Sequence, residues 1–170
     1  VFLRTPGVAP SVEIKQLLLG RDLHARQALA RLDSVDLALV GIGANTVDPA
    51  LAPGDNFFTE EHFAAMRAHG AAGEVCLHFI DADGKPLEAE VEEPVIGVTL
   101  QQLRSARRRW AVAGGARKHE AIRAALRGGW IDTLVTDAGT AEHLVSDQDD
   151  SNRSRSEARK PAPVAPSTAR

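Results

Sequence analysis

Short apolar runs alternate with segments of helical periodicity along most of this chain. Four of the runs predict strands, because β-branched and other apolar residues dominate them. Strands that alternate with helices are typical of a parallel sheet with crossover connections, so the predicted fold class is α/β. The predicted strands are Val35–Val40, Glu74–Ile80, Trp110–Ala113 and Ile131–Val135.

Start and stop signals bound the helices that lie between these strands. An Asp-Gly turn within 81–86 also predicts a small β-hairpin insertion, with a return strand over Val91–Val98. The predicted helices are 21–32, Glu60–Ala68 capped by Thr59 and ended by Gly70, one that starts with the capping box Thr99–Gln102, and one from Lys118 to Gly128.

The composition changes sharply near Ser146. Residues 147–170 carry few apolar side chains, and their five Lys and Arg nearly balance four acids. Such a segment cannot bury enough apolar surface to offset its chain entropy. We therefore predict a folded domain over 1–146 and a disordered tail over 147–170. Because the chain opens at Val1 within what reads as a strand, we also expect it to be a piece of a longer protein.

Charge and hydropathy narrow the class of protein. Residues 1–146 carry 15 Lys and Arg against 19 Asp and Glu, and this acidic balance argues against direct DNA contact. The basic run Arg104–Arg109 is interpreted as a solvated helix end rather than an anion patch, since no aromatic stacking platform lies near it. No apolar run reaches the length of a membrane span and no secretory signal is present, so we expect a cytoplasmic protein.

Cysteine and histidine content argues against disulfide and metal sites. Cys76 is the single cysteine and is interpreted as a buried, inert thiol. The six histidines show no metal-ligand spacing, so neither a metal nor another cofactor is predicted. No Gly-x-Ser-x-Gly segment and no carboxylate dyad is present, so no catalytic residue is predicted.

Ligands of parallel sheets bind beyond the carboxyl ends of the strands, and four loops there can be identified. Gly41-Ile-Gly43 with Ala44 allows close approach of a ligand, but Thr46 occupies the third glycine position of a dinucleotide fingerprint. Turn geometry alone also explains these glycines. Glu74 follows Gly73 at a strand start, where its carboxylate is either an acceptor for sugar hydroxyls or a plain surface acid.

The next loop runs from a strand through Gly114-Gly115 into a helix that carries Lys118 near its start. Bare glycine amides, the positive end of the helix dipole and a lysine outline a phosphate pocket. The alternative is a glycine-rich turn followed by a surface lysine. A fourth loop, Thr136–Thr140, is interpreted as a helix cap.

In this order the segments resemble the C-terminal sugar-binding domain of SorC/DeoR-type bacterial transcriptional regulators, over about residues 1–146. The matching segments are Pro6-Gly7 before a helix, Asp36–Gly43, Gly70–Glu74, Phe79–Gly84, Val95–Gly97 with Leu100 and Leu103, Ala113–Lys118 with Ala121-Ile122 and Ala124–Leu126, and Leu134–Asp137 with Ala141.

The resemblance implies a Rossmann-like parallel sheet with flanking helices, shared with phosphosugar isomerases and CoA transferases. It also implies a phosphorylated sugar as effector, homo-oligomers of the full-length protein, and DNA binding through a helix-turn-helix that this chain lacks. The first strand of the domain, which brings a glycine- and threonine-rich phosphate loop, is missing too. The resemblance therefore implies that this chain holds only part of the family's pocket.

The family's ligand-contacting acid maps to Glu74, where many members have Asp, and its phosphate- or sugar-contacting lysine maps to Lys118. The flanking glycines would shape the walls of the pocket. The ligand-binding residues predicted in this way are Gly41, Gly43, Ala44, Gly73, Glu74, Gly114, Gly115 and Lys118.

The leading interpretation is an effector-binding domain without enzymatic activity, in which a phosphosugar alters the DNA binding of the full-length regulator. One alternative is a phosphosugar isomerase or deaminase on the same fold. The deaminases follow the corresponding glycine loop with a catalytic Asp-Gly-His segment, whereas this chain has Ala44-Asn45-Thr46. The other alternative is a truncated remnant without function.

Overall fold

The computed structural model describes residues 2–47, 58–87 and 94–146, which form two three-stranded sheets and the helices around them. The last helix, α6, covers residues 138–146. The other elements, in chain order, are α1 (Val12–Arg21), α2 (Leu23–Ala30), β1 (Leu37–Val40), β2 (Ile42–Ala44), α3 (Glu60–Ala68), β3 (Ala71–Val75), β4 (His78–Asp81), α4 (Leu100–Ser105), β5 (Arg108–Val112), α5 (His119–Arg127) and β6 (Thr133–Val135).

The first sheet is parallel and has the strand order β1-β5-β6. Leu39 of β1 lies opposite Trp110 of β5, and Trp110 in turn lies opposite Thr133 of β6. Three of the four predicted strands therefore form the parallel sheet that the alternation of strands and helices indicated. The α/β class is confirmed.

The prediction of one continuous strand over Glu74–Ile80 is wrong. β3 ends at Val75, and Cys76 and Leu77 reverse the chain with φ angles of 54° and 69° before β4 begins at His78. Val75 pairs antiparallel with His78 across this two-residue turn. The turn escapes sequence reasoning because neither residue is Gly, Asn or Asp, the types that adopt positive φ most readily.

The second sheet, β2-β3-β4, is antiparallel throughout. The predicted glycine loop at residues 41–43 is therefore largely a strand, since Gly43 pairs with Glu74. The Asp-Gly turn forms as predicted, with Ile80 bridging Pro86. The return strand Val91–Val98 is not observed over residues 94–98, where Val95 makes an isolated antiparallel bridge with Val8; residues 91–93 lie outside the described ranges.

Side-chain caps set the helix boundaries. Thr59 accepts a hydrogen bond from the His62 N–H, and Thr99 and Gln102 form the predicted reciprocal capping box. The helix predicted over 21–32 forms as α2, which runs from Leu23 to Ala30. The carboxylate of Asp22 caps it by accepting from the Ala25 N–H at 3.0 Å. A short 3₁₀ turn, Arg31–Ser34, then leads toward β1.

The main core lies around α5, which packs on the antiparallel sheet. Its buried side chains include Ala121 and Ile122, and Ala121 contacts the backbone of β3 at Gly73. A Cβ at Gly73 would lie only 2.2 Å from the Ala121 Cβ, so glycine is required for this close approach. A smaller cluster gathers Phe58, Phe63 and Phe79.

The other face of the parallel sheet is apolar and accessible over the described residues. Leu39, Val112 and Val135 from its three strands are 65%, 55% and 51% exposed. Parallel sheets are normally covered on both faces. The described residues therefore cover one face of this sheet and leave the second one open.

The predicted tail over 147–170 lies outside the described residues, so its disorder stays a prediction. No helix in the described ranges has the length and hydropathy that a membrane crossing requires.

We expect Gly73→Ala to lower the free energy of unfolding by about 1–3 kcal/mol, because the added methyl group overpacks the contact between β3 and α5. Gly20→Ala is the matched control, since no atom lies within 4 Å of the added Cβ in α1. Alanine there should raise the stability by up to about 1 kcal/mol. Urea unfolding measures both changes, and equal stability of the two variants would contradict the packing argument.

Candidate functional site

A cavity of about 300 Å³ opens between β2, the β3–β4 turn and the residues that lead into α5. Its walls are formed by backbone at the glycine-rich β1–β2 segment, by Glu74 near the end of β3 and by cationic side chains just before α5. Five of the eight predicted ligand-binding residues line it, namely Gly41, Gly43, Ala44, Glu74 and Lys118. The structure thus brings together residues separated by up to 77 positions in sequence, from Gly41 to Lys118.

Glu74 is only 8% exposed, so its interpretation as a plain surface acid is wrong. Its carboxylate lies against Gly43, where an added Cβ would come within 1.9 Å of Oε1. The other oxygen, Oε2, accepts a hydrogen bond of 2.5 Å from the Leu77 N–H. Gly43 therefore provides the space for the carboxylate, and the carboxylate stabilises the turn after β3.

Burial raises the pKa of Glu74 above its ordinary value of 4.5. The Leu77 hydrogen bond and the positive charges of Lys118 and His78 oppose this change but do not cancel it. The cost of desolvating the charged form is thus the dominant effect on this carboxylate. A nearby cation or a ligand hydroxyl group would favour the ionised form.

Lys118 ends the 3₁₀ turn Ala116–Lys118 and directly precedes the first residue of α5. Its side chain is half-buried, and within the described ranges its ammonium group makes no hydrogen bond or ion pair. The neighbouring Arg117 also lines the cavity, although sequence reasoning did not select it. The cavity therefore carries a carboxylate on one wall and two cationic side chains on another, near a helix N-terminus.

The other three predicted residues, Gly73, Gly114 and Gly115, are not among the residues that line this cavity. Gly73 instead packs against α5, as described above. Gly115 has φ of 90°, which favours glycine, and a Cβ at Gly114 would lie 2.2 Å from Asp137 Oδ2. The two glycines thus form the turn that leads to Lys118.

The expectation of bare amides in the Gly114-Gly115 loop is wrong for Gly115. Its N–H donates to Asp137 Oδ2 at 2.9 Å and to Thr140 Oγ1 at 2.8 Å. The predicted helix cap is confirmed, because Asp137 Oδ1 accepts from the Thr140 N–H at 2.9 Å. Sequence reasoning missed only that the second oxygen of the same carboxylate reaches the neighbouring loop.

Cys76 lines the cavity but is a poor nucleophile there. Burial, together with the charge of Glu74, raises the pKa of the thiol to about 12, so it stays protonated at neutral pH. Within the described ranges, no group of three or more His, Cys, Asp or Glu side chains is arranged to hold a metal ion.

The family model for the "Putative sugar-binding domain" matches residues 1–146. The chain belongs to this family. It is 33% identical over 146 residues to the deoxyribonucleoside regulator of Bacillus subtilis (strain 168), an alignment that covers 86% of this chain and 46% of that protein. It is 34% identical over 125 residues to the sorbitol operon regulator of Klebsiella pneumoniae, covering 72% of this chain and 38% of that protein.

The fold agrees with solved structures of this sugar-binding domain family. A DeoR family transcriptional regulator from Listeria monocytogenes superimposes with a TM-score of 0.75 at 28% identity, covering 85% of this chain and 57% of that one. The relatives are bacterial transcriptional regulators, and this chain spans less than half the length of the two compared above. The resemblance to SorC/DeoR regulators is therefore confirmed.

Replacing the buried carboxylate should change how stability depends on pH. Because folding raises the pKa of Glu74, its favourable contribution is complete below pH 4.5 and is lost as the pH rises through the folded-state value. We expect Glu74→Gln to abolish this loss and to be more stable than the unsubstituted protein at neutral pH. The gain is about 1.4 kcal/mol for each unit by which the pKa is raised.

Urea unfolding at a series of pH values from 4.5 upward measures this change. Asp137 does not affect this comparison, because the hydrogen bonds from Thr140 lower its pKa to about 2. Its contribution to the free energy of unfolding is therefore lost only in solutions more acidic than those of this series. The exposed Glu142→Gln on α6 is the control and should leave the pH profile unchanged. A Glu74→Gln protein less stable than the unsubstituted one at neutral pH would contradict the prediction.

Proposed function

We propose that the cavity is part of an effector site for a phosphorylated sugar, with hydroxyl groups bound by Glu74 and the phosphate bound by Lys118 and Arg117. The observation that carries the proposal is that opposite charges line one cavity of about 300 Å³. A sugar phosphate has the matching arrangement, because its hydroxyl groups donate hydrogen bonds and its phosphate carries negative charge at a fixed distance from them.

The electrostatics of each wall favour this orientation. Glu74 is a buried acceptor that already has one fixed donor, Leu77, and sugar hydroxyls would supply further donors to the charged form. Lys118 lies at the start of α5, where the helix dipole adds to its positive charge and favours a bound anion. The reverse orientation would place the phosphate beside a carboxylate.

We infer binding rather than turnover at this site. The segment after Gly43 contributes Ala44 and Thr46 to the cavity, and neither side chain is a proton donor or acceptor of the kind that isomerisation or deamination requires. Glu74 is the one carboxylate that lines the cavity over the described residues, so a pair of carboxylates for acid and base roles is not assembled there.

In the full-length regulator, the bound effector would alter the affinity for operator DNA. Such coupling requires that the sugar phosphate bind one arrangement of the regulator's subunits more tightly than another. We place this function in the cytoplasm, in a homo-oligomer whose DNA contacts come from a helix-turn-helix outside this chain. Two relatives are named a deoxyribonucleoside regulator and a sorbitol operon regulator, and these names support a sugar-derived effector.

Calorimetric titration of the chain with pentose, hexose and hexitol phosphates, and with their unphosphorylated counterparts, tests the proposal. We expect Lys118→Met to weaken binding of the phosphorylated compounds about 10- to 100-fold, as loss of a charge-assisted hydrogen bond predicts. Lys85→Met is the matched control, because this exposed lysine lies in the turn near the opposite end of α5. The affinity of the Lys85→Met protein for the phosphorylated compounds should be unchanged.

Two results would refute the proposal. One is a protein that unfolds cooperatively but binds none of these sugar phosphates. The other is unchanged affinity after Lys118→Met. Absence of any cooperative unfolding transition would instead support a remnant without function, and turnover of a sugar phosphate would support the enzymatic alternative.

A further inference from the structure

We propose that Asp137 and Thr140 are positioning residues, which hold the Gly115 backbone so that Lys118 is fixed at the cavity wall near Glu74. Neither residue is among those that line the cavity; Asp137 directly precedes α6, and Thr140 lies in the first turn of that helix. The effect of these two residues on ligand affinity rests on the proposed function. Their effect on the position of Lys118 is independent of it.

The hydrogen bonds at Gly115 form a closed set between two loops. The Gly115 N–H donates to both Asp137 Oδ2 and Thr140 Oγ1, and the Thr140 hydroxyl donates to Asp137 Oδ2 at 2.8 Å. The second carboxylate oxygen accepts the Thr140 N–H. Hydrogen bonds therefore connect the two side chains to each other, and both side chains accept from the N–H of the same glycine.

Gly115 transmits this constraint directly to Lys118. Its carbonyl oxygen accepts the Lys118 N–H at 2.9 Å, which closes the 3₁₀ turn before α5. Glycine has the greatest backbone freedom of any residue, and here it must hold φ of 90° and ψ of 149°. Without external hydrogen bonds, the residue best able to change conformation would lie three positions before the lysine.

One of the anchoring residues is buried and the other is charged. Thr140 is only 1% exposed, and its hydroxyl oxygen also lies 3.3 Å from His119 Nε2, on the first residue of α5. Hydrogen bonds from Thr140 keep the pKa of Asp137 at about 2, so the carboxylate is ionised at neutral pH and accepts charge-assisted hydrogen bonds. The Asp137 carboxylate therefore anchors the Gly115 amide group in its ionised form at neutral pH.

The approach of the two loops also explains the first glycine. The Asp137 carboxylate comes so near to Gly114 that an added Cβ would lie 2.2 Å from Oδ2. Gly114 thus provides the space for the carboxylate, whereas Gly115 provides the backbone conformation. The contacts between the Gly-Gly pair and the Asp137–Thr140 pair together orient the start of α5.

The test measures the pKa of the Glu74 carboxyl group by NMR titration, because the charge of Lys118 lowers that value. We expect Lys118→Met, Thr140→Val and Asp137→Asn each to raise it. Thr140→Val changes no charge, and loss of the negative charge of Asp137 would by itself lower the value. A higher Glu74 pKa in both of these variants therefore indicates that Lys118 is displaced. Neither substitution should raise the Glu74 pKa further when it is combined with Lys118→Met.

Asp22→Asn is the matched control, since it removes the same charge from another helix-capping aspartate that has no contact with Gly115. It should leave the pKa of Glu74 unchanged. If sugar phosphates bind, Thr140→Val should also weaken them about 10-fold, and the conservative Thr140→Ser, which retains the hydroxyl, should restore affinity.

An unchanged Glu74 pKa in folded Asp137→Asn and Thr140→Val would overturn the positioning role and leave the proposed function intact. If Thr140→Val does not fold, the result for Asp137→Asn decides, because this exposed side chain is not part of the core. A Glu74 pKa that responds as expected in a protein that binds no sugar phosphate would sustain the positioning role while refuting the proposed function.

Discussion

Burial of the Glu74 carboxylate against the backbone of Gly43 connects the local chain reversal to the shape of the cavity. One oxygen lies where any larger residue than glycine would clash, and the other accepts the Leu77 N–H in a turn that has two positive φ angles. The contact lies where β2 pairs with β3, since Gly43 is opposite Glu74 in the sheet. The Glu74 carboxylate is desolvated in this position. Its desolvation costs free energy as long as no ligand supplies further hydrogen bonds.

The opposite wall of the cavity is built differently, through glycines that let two loops approach each other. Asp137 caps α6 and also reaches the Gly114-Gly115 turn, so one carboxylate organises the starts of two helices. Lys118 therefore occupies its place through hydrogen bonds made three residues earlier in the chain. Both walls rely on a carboxylate placed against a glycine, but only that of Glu74 is buried inside the cavity.

Sequence reasoning found the parallel strands because their apolar runs are continuous, and it found the caps because Thr59, Thr99 and Asp137 carry short polar side chains at helix starts. It failed at the reversal after β3. Cys76 and Leu77 give no local signal for positive φ, since the Leu77 conformation is held by a hydrogen bond to the side chain of Glu74.

The order of apolar runs and caps was enough to indicate the α/β class, because it depends on local periodicity. The family, and Glu74 and Lys118 as candidate ligand-binding residues, came from the resemblance of the ordered segments to SorC/DeoR regulators. Tertiary structure decided which glycines line the cavity, which ones allow close packing, and which acid anchors the lysine loop. Those roles depend on distances between segments far apart in the chain, and a glycine looks the same in all of them.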